Sequence, residues 1–136
     1  MMKTAMETFK KRHATNHLGT MRGHQGLMVW QRGMALVSEC YRLAGFLPRD
    51  ERFGLASQTR RAAVSVVANI AEGHGRAHRG SFLLHLSIAR GSLKELETYL
   101  AIMKQQNLVR AESTDDAERL ADEVSRMLTV LGRRLR

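Results

Sequence analysis

Apolar residues recur along this chain every three or four positions, in four runs separated by short polar breaks. That period is the mark of helices that each bury one face. The first run covers about residues 27–46, with Trp30, Gly33/Met34, Val37, Cys40/Tyr41 and Ala44 in one stripe, and Gly45 and Pro48 close it. Asp50 and Glu51 suit the start of a second helix, because carboxylates meet the positive end of the helix dipole there. That helix is expected to end at Glu72 or Gly73, where Gly73 and Gly75 relax the backbone. A third begins between residues 78 and 81 and reaches about 107, with Phe82, Leu83, Leu86, Ala89, Leu93, Leu96, Leu100 and Met103 on its apolar face. Gly91 inside it costs about 1 kcal/mol relative to Ala, which predicts the close approach of another backbone. In the fourth, Ser113 or Thr114 caps a turn rich in acids, and Ala117, Leu120, Val124, Leu128, Leu131 and Leu135 form a heptad-like seam. Short connections then predict an all-α, up-and-down antiparallel four-helix bundle.

The second run differs from the others. Between Ala62 and Ala71 its residues are Ala, Val or Ile, apart from Ser65 and Asn69. Arg61, Ser65, Asn69, Glu72 and Arg76 fall on one narrow stripe at helical spacing. A surface helix shows water a broad polar face. The pattern therefore predicts burial on nearly every side, with a second surface such as another subunit covering the helix. Glu72 is expected to pair with an arginine such as Arg61 or Arg90, and Asn69 to satisfy backbone or side-chain groups at a helix–helix contact, since buried polar groups need partners. Arg61, Ser65, Asn69, Glu72, Gly73, Arg90, Gly91 and Glu95 form the candidate assembly set.

Length and charge add a partner class. At 136 residues the chain fits one domain, with residues 23–136 as the bundle and residues 1–22 as a mobile basic tail. Lys10, Lys11 and Arg12 in that tail are candidate phosphate contacts, while initiation at Met21 is an alternative reading of the same segment. The formal net charge of +9 favours acidic partners, nucleic acid first. Arg52, Arg60, Arg76, Arg79, Arg133 and Arg134 are the candidate phosphate ligands within the bundle. Only 5% of residues are aromatic, so stacking platforms look scarce. The single Cys40 fits a reducing, cytoplasmic setting and reads as a packed small hydrophobe. No apolar run is long enough to span a bilayer.

Catalytic chemistry finds little footing. His74, His78 and His85 lack a completing cysteine or a His-Glu-x-x-His spacing, so they read as solvent-facing and no metal is expected. Gly73-His74-Gly75-Arg76 has neither the preceding strand nor the Lys-Ser/Thr of a P-loop, and it reads as a helix cap. No nucleophile–base pair stands out. The expectation is a non-enzyme with no catalytic residue and no cofactor.

Several spaced blocks carry a resemblance. They are Trp30-Gln31; Pro48-x-x-Glu51-Arg52-Phe53-Gly54-Leu55 with Gln58 and Arg60-Arg61-Ala62; Ser65-Val66-Val67-Ala68-Asn69-Ile70-Ala71-Glu72-Gly73-x-Gly75-Arg76; and Phe82 with Ala89-Arg90-Gly91-Ser92-Leu93-x-Glu95-Leu96-Glu97-Thr98. Together they resemble the bacterial four-helix bundle proteins of the 23S rRNA intervening-sequence family, closely over about residues 24–110 and loosely in the fourth helix. Val66-Val67 replaces the usual Ile-Pro, and Gly80 sits where a charged residue is common. The resemblance implies a cytosolic homopentamer. It also implies kinship with the accessory variability determinant of diversity-generating retroelements, a basic pentamer that associates with nucleic acid and a reverse transcriptase. The resulting expectation is an oligomeric, RNA-related protein that binds phosphates. The rival expectation is an oligomeric scaffold for a protein partner.

Overall fold

A computed structural model describes residues 23–136 of the protein, and the expected basic tail lies outside the described residues. A 3-10 turn at Gly23–Gly26 leads into α1 (Met28–Phe46). A second such turn, Arg49–Glu51, precedes α2 (Leu55–Gly75), and α3 (Arg79–Gln105) follows after three residues. A third turn, Ala111–Thr114, leads directly into α4 (Asp115–Leu135). No strand occurs among the described residues.

Each helix packs on two others, α1 on α2, α2 on α3, α3 on α4 and α4 on α1, which closes a four-helix bundle. The core is filled by the 3.6-residue pattern: Leu36 and Leu43 from α1, Val66 and Ile70 from α2, Leu93, Leu96, Leu100 and Met103 from α3, and Val124 and Leu128 from α4 are all buried. The α1 stripe is rotated from the expected one. Leu36 and Leu43 face inward, while Tyr41 stands on the surface. Cys40 is buried, and burial pushes its thiol up to about 12, with the nearby Glu39 charge adding to the shift. A thiol held protonated is a poor nucleophile.

Two glycines set how closely helices approach. A Cβ at Gly33 of α1 would lie 2.6 Å from Val67 Cγ1 of α2. A Cβ at Gly73 of α2 would lie 2.8 Å from His85 Cβ and 3.0 Å from Phe82 Cδ1 of α3. Gly73 is thus a packing residue inside α2, which continues to Gly75, and not the helix stop that its sequence suggests. Gly91 corrects the expectation in the other direction: it is exposed, and a Cβ there would meet nothing within 4 Å in its own chain.

The helix starts also differ from simple capping. Asp50 and Glu51 lie in the 3-10 turn, so α2 begins four residues after Glu51. Thr114 sits at the N-cap of α4, but no side-chain cap bond forms. Its buried hydroxyl instead lies 2.6 Å from Glu118 Oε1 and 3.1 Å from the Ala111 carbonyl, either of which can accept its proton. Lys104 Nζ of α3 donates to the same Glu118 oxygen at 2.9 Å. The Thr114 hydrogen bond first, and the lysine second, hold the Glu118 carboxyl below its usual range.

Candidate nucleic-acid interface

Within one chain α2 is not buried on every side. Ala62, Ala63, Val66, Val67, Ile70 and Gly73 face inward, whereas Arg61, Val64, Ala68 and Glu72 are exposed. The polar stripe runs down the edge of this open face. Its middle is satisfied locally: the Ser65 and Ser92 hydroxyls lie 2.7 Å apart across α2 and α3. Asn69 Nδ2 donates to the Ser65 carbonyl at 2.9 Å and to the Ser65 hydroxyl at 3.1 Å. Both Asn69 bonds thus stay within α2, and only Ser65 reaches across to α3.

Glu72 does not pair with Arg61 or Arg90. It accepts from Arg76 Nη2 at 2.6 Å, one helical turn along, and lies 3.5 Å from His85 Nε2. The arginine hydrogen bond first, and the histidine charge second, hold the Glu72 carboxyl below its usual range. Arg90 instead donates to Thr129 Oγ1 at 3.0 Å, tying α3 to α4. Glu95 accepts from the Tyr99 hydroxyl at 3.2 Å within α3.

The histidines separate in role. His78 is exposed, His74 is half-buried with its ring edge-on to Phe82, and His85 is half-buried with Nδ1 2.8 Å from the Ser81 carbonyl. Solvent exposure was thus the wrong expectation for His74 and His85, because both fill the α2–α3 contact beside Gly73. Among the described residues no group of three or more His, Cys, Asp or Glu side chains gathers to hold a metal.

The six candidate arginines divide between two ends. Arg52 precedes α2 and Arg60 lies in its second turn, whereas Arg76 follows its last residue. The 21 residues of α2 span about 30 Å, so one phosphate cannot meet both groups. Arg79 opens α3 and Arg133 and Arg134 close α4, all three exposed. The Arg90–Thr129 bond, together with the Lys104–Glu118 bond between the end of α3 and the start of α4, sets the start of α3 and the end of α4 toward the same end. Arg76, Arg79, Arg133 and Arg134 thus crown one end of the bundle. At the other end, the Arg60 guanidinium lies over the Tyr41 ring at 5.6 Å and that of Arg52 over the Phe53 ring at 5.2 Å. Counting aromatic residues could not show this placement.

Sequence reasoning also missed an apolar groove of about 300 Å³ between the start of α1 and the end of α4. Leu27, Met28, Met127, Val130 and Leu131 line it, with Arg126 and Arg134 at its rim. No helix among the described residues is long and apolar enough to cross a membrane.

Comparison with known proteins agrees with this architecture. Residues 25–130 match the family model described as 23S rRNA-intervening sequence protein. Among solved structures, the chain is similar to a protein of unknown function from the S23 ribosomal protein family of Bacteroides thetaiotaomicron. The TM-score is 0.71 at 22% identity, covering 77% of this chain and 95% of that one. No curated protein matches the chain.

Proposed function

The chain belongs to the 23S rRNA-intervening sequence protein family, and from that premise we propose that it is a non-enzymatic, RNA-associated protein that holds nucleic acid through arginine contacts to phosphates. One observation carries this reading. Of Arg52, Arg60, Arg76, Arg79, Arg133 and Arg134, only Arg76 has a carboxylate partner among the described residues. At the other five positions the positive charge of the chain is therefore not cancelled by internal pairing, and each of those arginines is available to neutralise a phosphate and release its counterion.

In this reading the working form is a cytoplasmic homo-oligomer, a pentamer of up-and-down antiparallel bundles, because repeating a basic chain around a ring enlarges its field. The open face of α2 and α3 supports such an assembly. Val64, Ala68, Leu84 and Ile88 are exposed there, beside a Gly91 that meets nothing in its own chain.

Single substitutions test the phosphate contacts. Arg79→Ala and Arg133→Ala are each expected to weaken RNA binding uniformly across sequences and to reduce the salt slope by about 1. Fluorescence anisotropy over a salt series measures both effects; slopes equal to wild type in both variants would overturn the assignment.

The second reading, a protein scaffold, is favoured by one feature, the apolar groove between α1 and α4. A protein segment seated there would stay bound at high salt, where phosphate contacts fade.

A further inference from the structure

Aromatic residues are few in this protein, yet half of those described lie on the surface. Trp30, Phe82 and Tyr99 are half-buried, whereas Tyr41, Phe46 and Phe53 are exposed, Phe53 at 85%. All three exposed rings lie between residues 41 and 53, where α1 ends and the chain turns into α2. An arginine covers each of them: Arg60 over Tyr41, Arg42 over Phe46 at 5.8 Å, and Arg52 over Phe53. Packing does not explain three exposed rings in a chain this poor in aromatics, since none contributes to the buried core.

The surrounding charge suits a polyanion. Residues 41–61 contain five arginines against two acids, Asp50 and Glu51. Arg42 is occupied by Glu39 at 3.0 Å and by the Ser113 carbonyl at 2.9 Å. Arg52, Arg60 and Arg61 have no carboxylate partner among the described residues. Between Tyr41 and Phe46 on α1 lies Gly45, exposed, where a Cβ would meet nothing within 4 Å. Five helical residues set Tyr41 and Phe46 about 140° apart around α1 and about 7.5 Å apart along it, so a strand that reaches both rings follows the curve of the helix past Gly45 and Arg42.

We propose that this end of the bundle is a stacking site for single-stranded RNA. Unpaired bases lie on Tyr41, Phe46 and Phe53, and Arg52, Arg60 and Arg61 take the neighbouring phosphates. In the free protein a guanidinium covers one face of each ring. A base takes the other face, or displaces the guanidinium onto a phosphate. Only unpaired bases expose a face to an aromatic ring, because a duplex keeps its bases stacked on each other. The proposal rests on the phosphate-binding reading and deepens it by naming the strandedness of the ligand.

The test uses the full chain and a labelled, unstructured oligouridylate of about twelve nucleotides, within the range of known single-strand sites, beside a duplex RNA of equal length. Phe53→Leu and Tyr41→Leu keep apolar bulk and remove the ring. Each is expected to lower single-strand affinity about 5- to 150-fold, the range for loss of one stacked base, with the salt slope unchanged because no charge is lost. Duplex affinity should not move. Arg52→Ala should instead lower the slope. Equal losses with a DNA oligomer also support stacking, since neither ring nor guanidinium reads the 2′-hydroxyl. Wild-type protein that binds RNA while both ring variants bind it within twofold of wild type would overturn the stacking site alone. Wild-type protein that binds no RNA at low salt would overturn the phosphate reading and the stacking site together. Ring variants whose assembled mass falls in sedimentation would also overturn the site, because the rings would then be covering another subunit.

Discussion

Gly73→Val is expected to destabilise the bundle by about 3 kcal/mol, the upper end of what added volume costs in a packed interior. A Cβ at this position would lie 2.8 Å from His85 Cβ and 3.3 Å from the Phe82 carbonyl oxygen. Neither atom moves without the α3 backbone. The third neighbour, the Phe82 ring at 3.0 Å, is itself held edge-on by His74, with the ring centres 5.8 Å apart. Alanine brings the same Cβ but recovers about 1 kcal/mol of helix propensity over glycine. Gly73→Ala should therefore lose only about 1 kcal/mol, the difference between that gain and a moderate overpacking penalty. Valine adds two methyl groups and gives up most of the propensity gain, so the clash wins. Urea denaturation at constant m-value reads both losses; a valine variant as stable as wild type would mean that α2 and α3 do not approach so closely.

Leu96→Ala is the second large effect, with an expected loss of about 2–5 kcal/mol from lost burial and the cavity left behind. Leu96 is fully buried in α3 among core residues from the other helices. Lys94, on the same helix, is exposed with only a surface ion pair to Glu97, and Lys94→Ala should fall within about 0.5 kcal/mol of wild type. The pair compares the inside and outside of α3. In a thermal melt, Leu96→Ala should lower Tm by roughly 10–20 °C. Similar shifts for both variants would contradict the placement of the core.

The four helices were legible because each repeats apolar residues at helical spacing over more than five turns. The family was legible too, since its motifs lie within continuous blocks. The start of α2 was harder to read. Acids after a proline satisfy a helix dipole and a 3-10 turn alike, and local charge does not distinguish the two. Gly73 and Gly91 carried opposite roles from those read in sequence, because a close approach depends on which face of a helix meets a neighbour. At the candidate site, Asn69 turns back onto Ser65 one helical turn before it, a local bond that its position on the stripe allows. Glu72 does find an arginine, and Arg76 wins over Arg61 and Arg90 because it lies one helical turn away on the same face. The Arg90–Thr129 bond joins residues 39 apart, and no local pattern reports it. The arginine-covered rings escaped because composition counts aromatics without showing where they stand.

If phosphate neutralisation by arginine drives association, RNA binding must depend steeply on salt. Anisotropy of labelled single-stranded RNA should give log K falling linearly with log salt at a slope of about −2, the value for the phosphates neutralised by Arg52, Arg60 and Arg61 on a single strand. Affinity that stays flat across the salt series, or no binding at the lowest salt, would contradict the account and leave the apolar groove between α1 and α4 as the better guide to the partner.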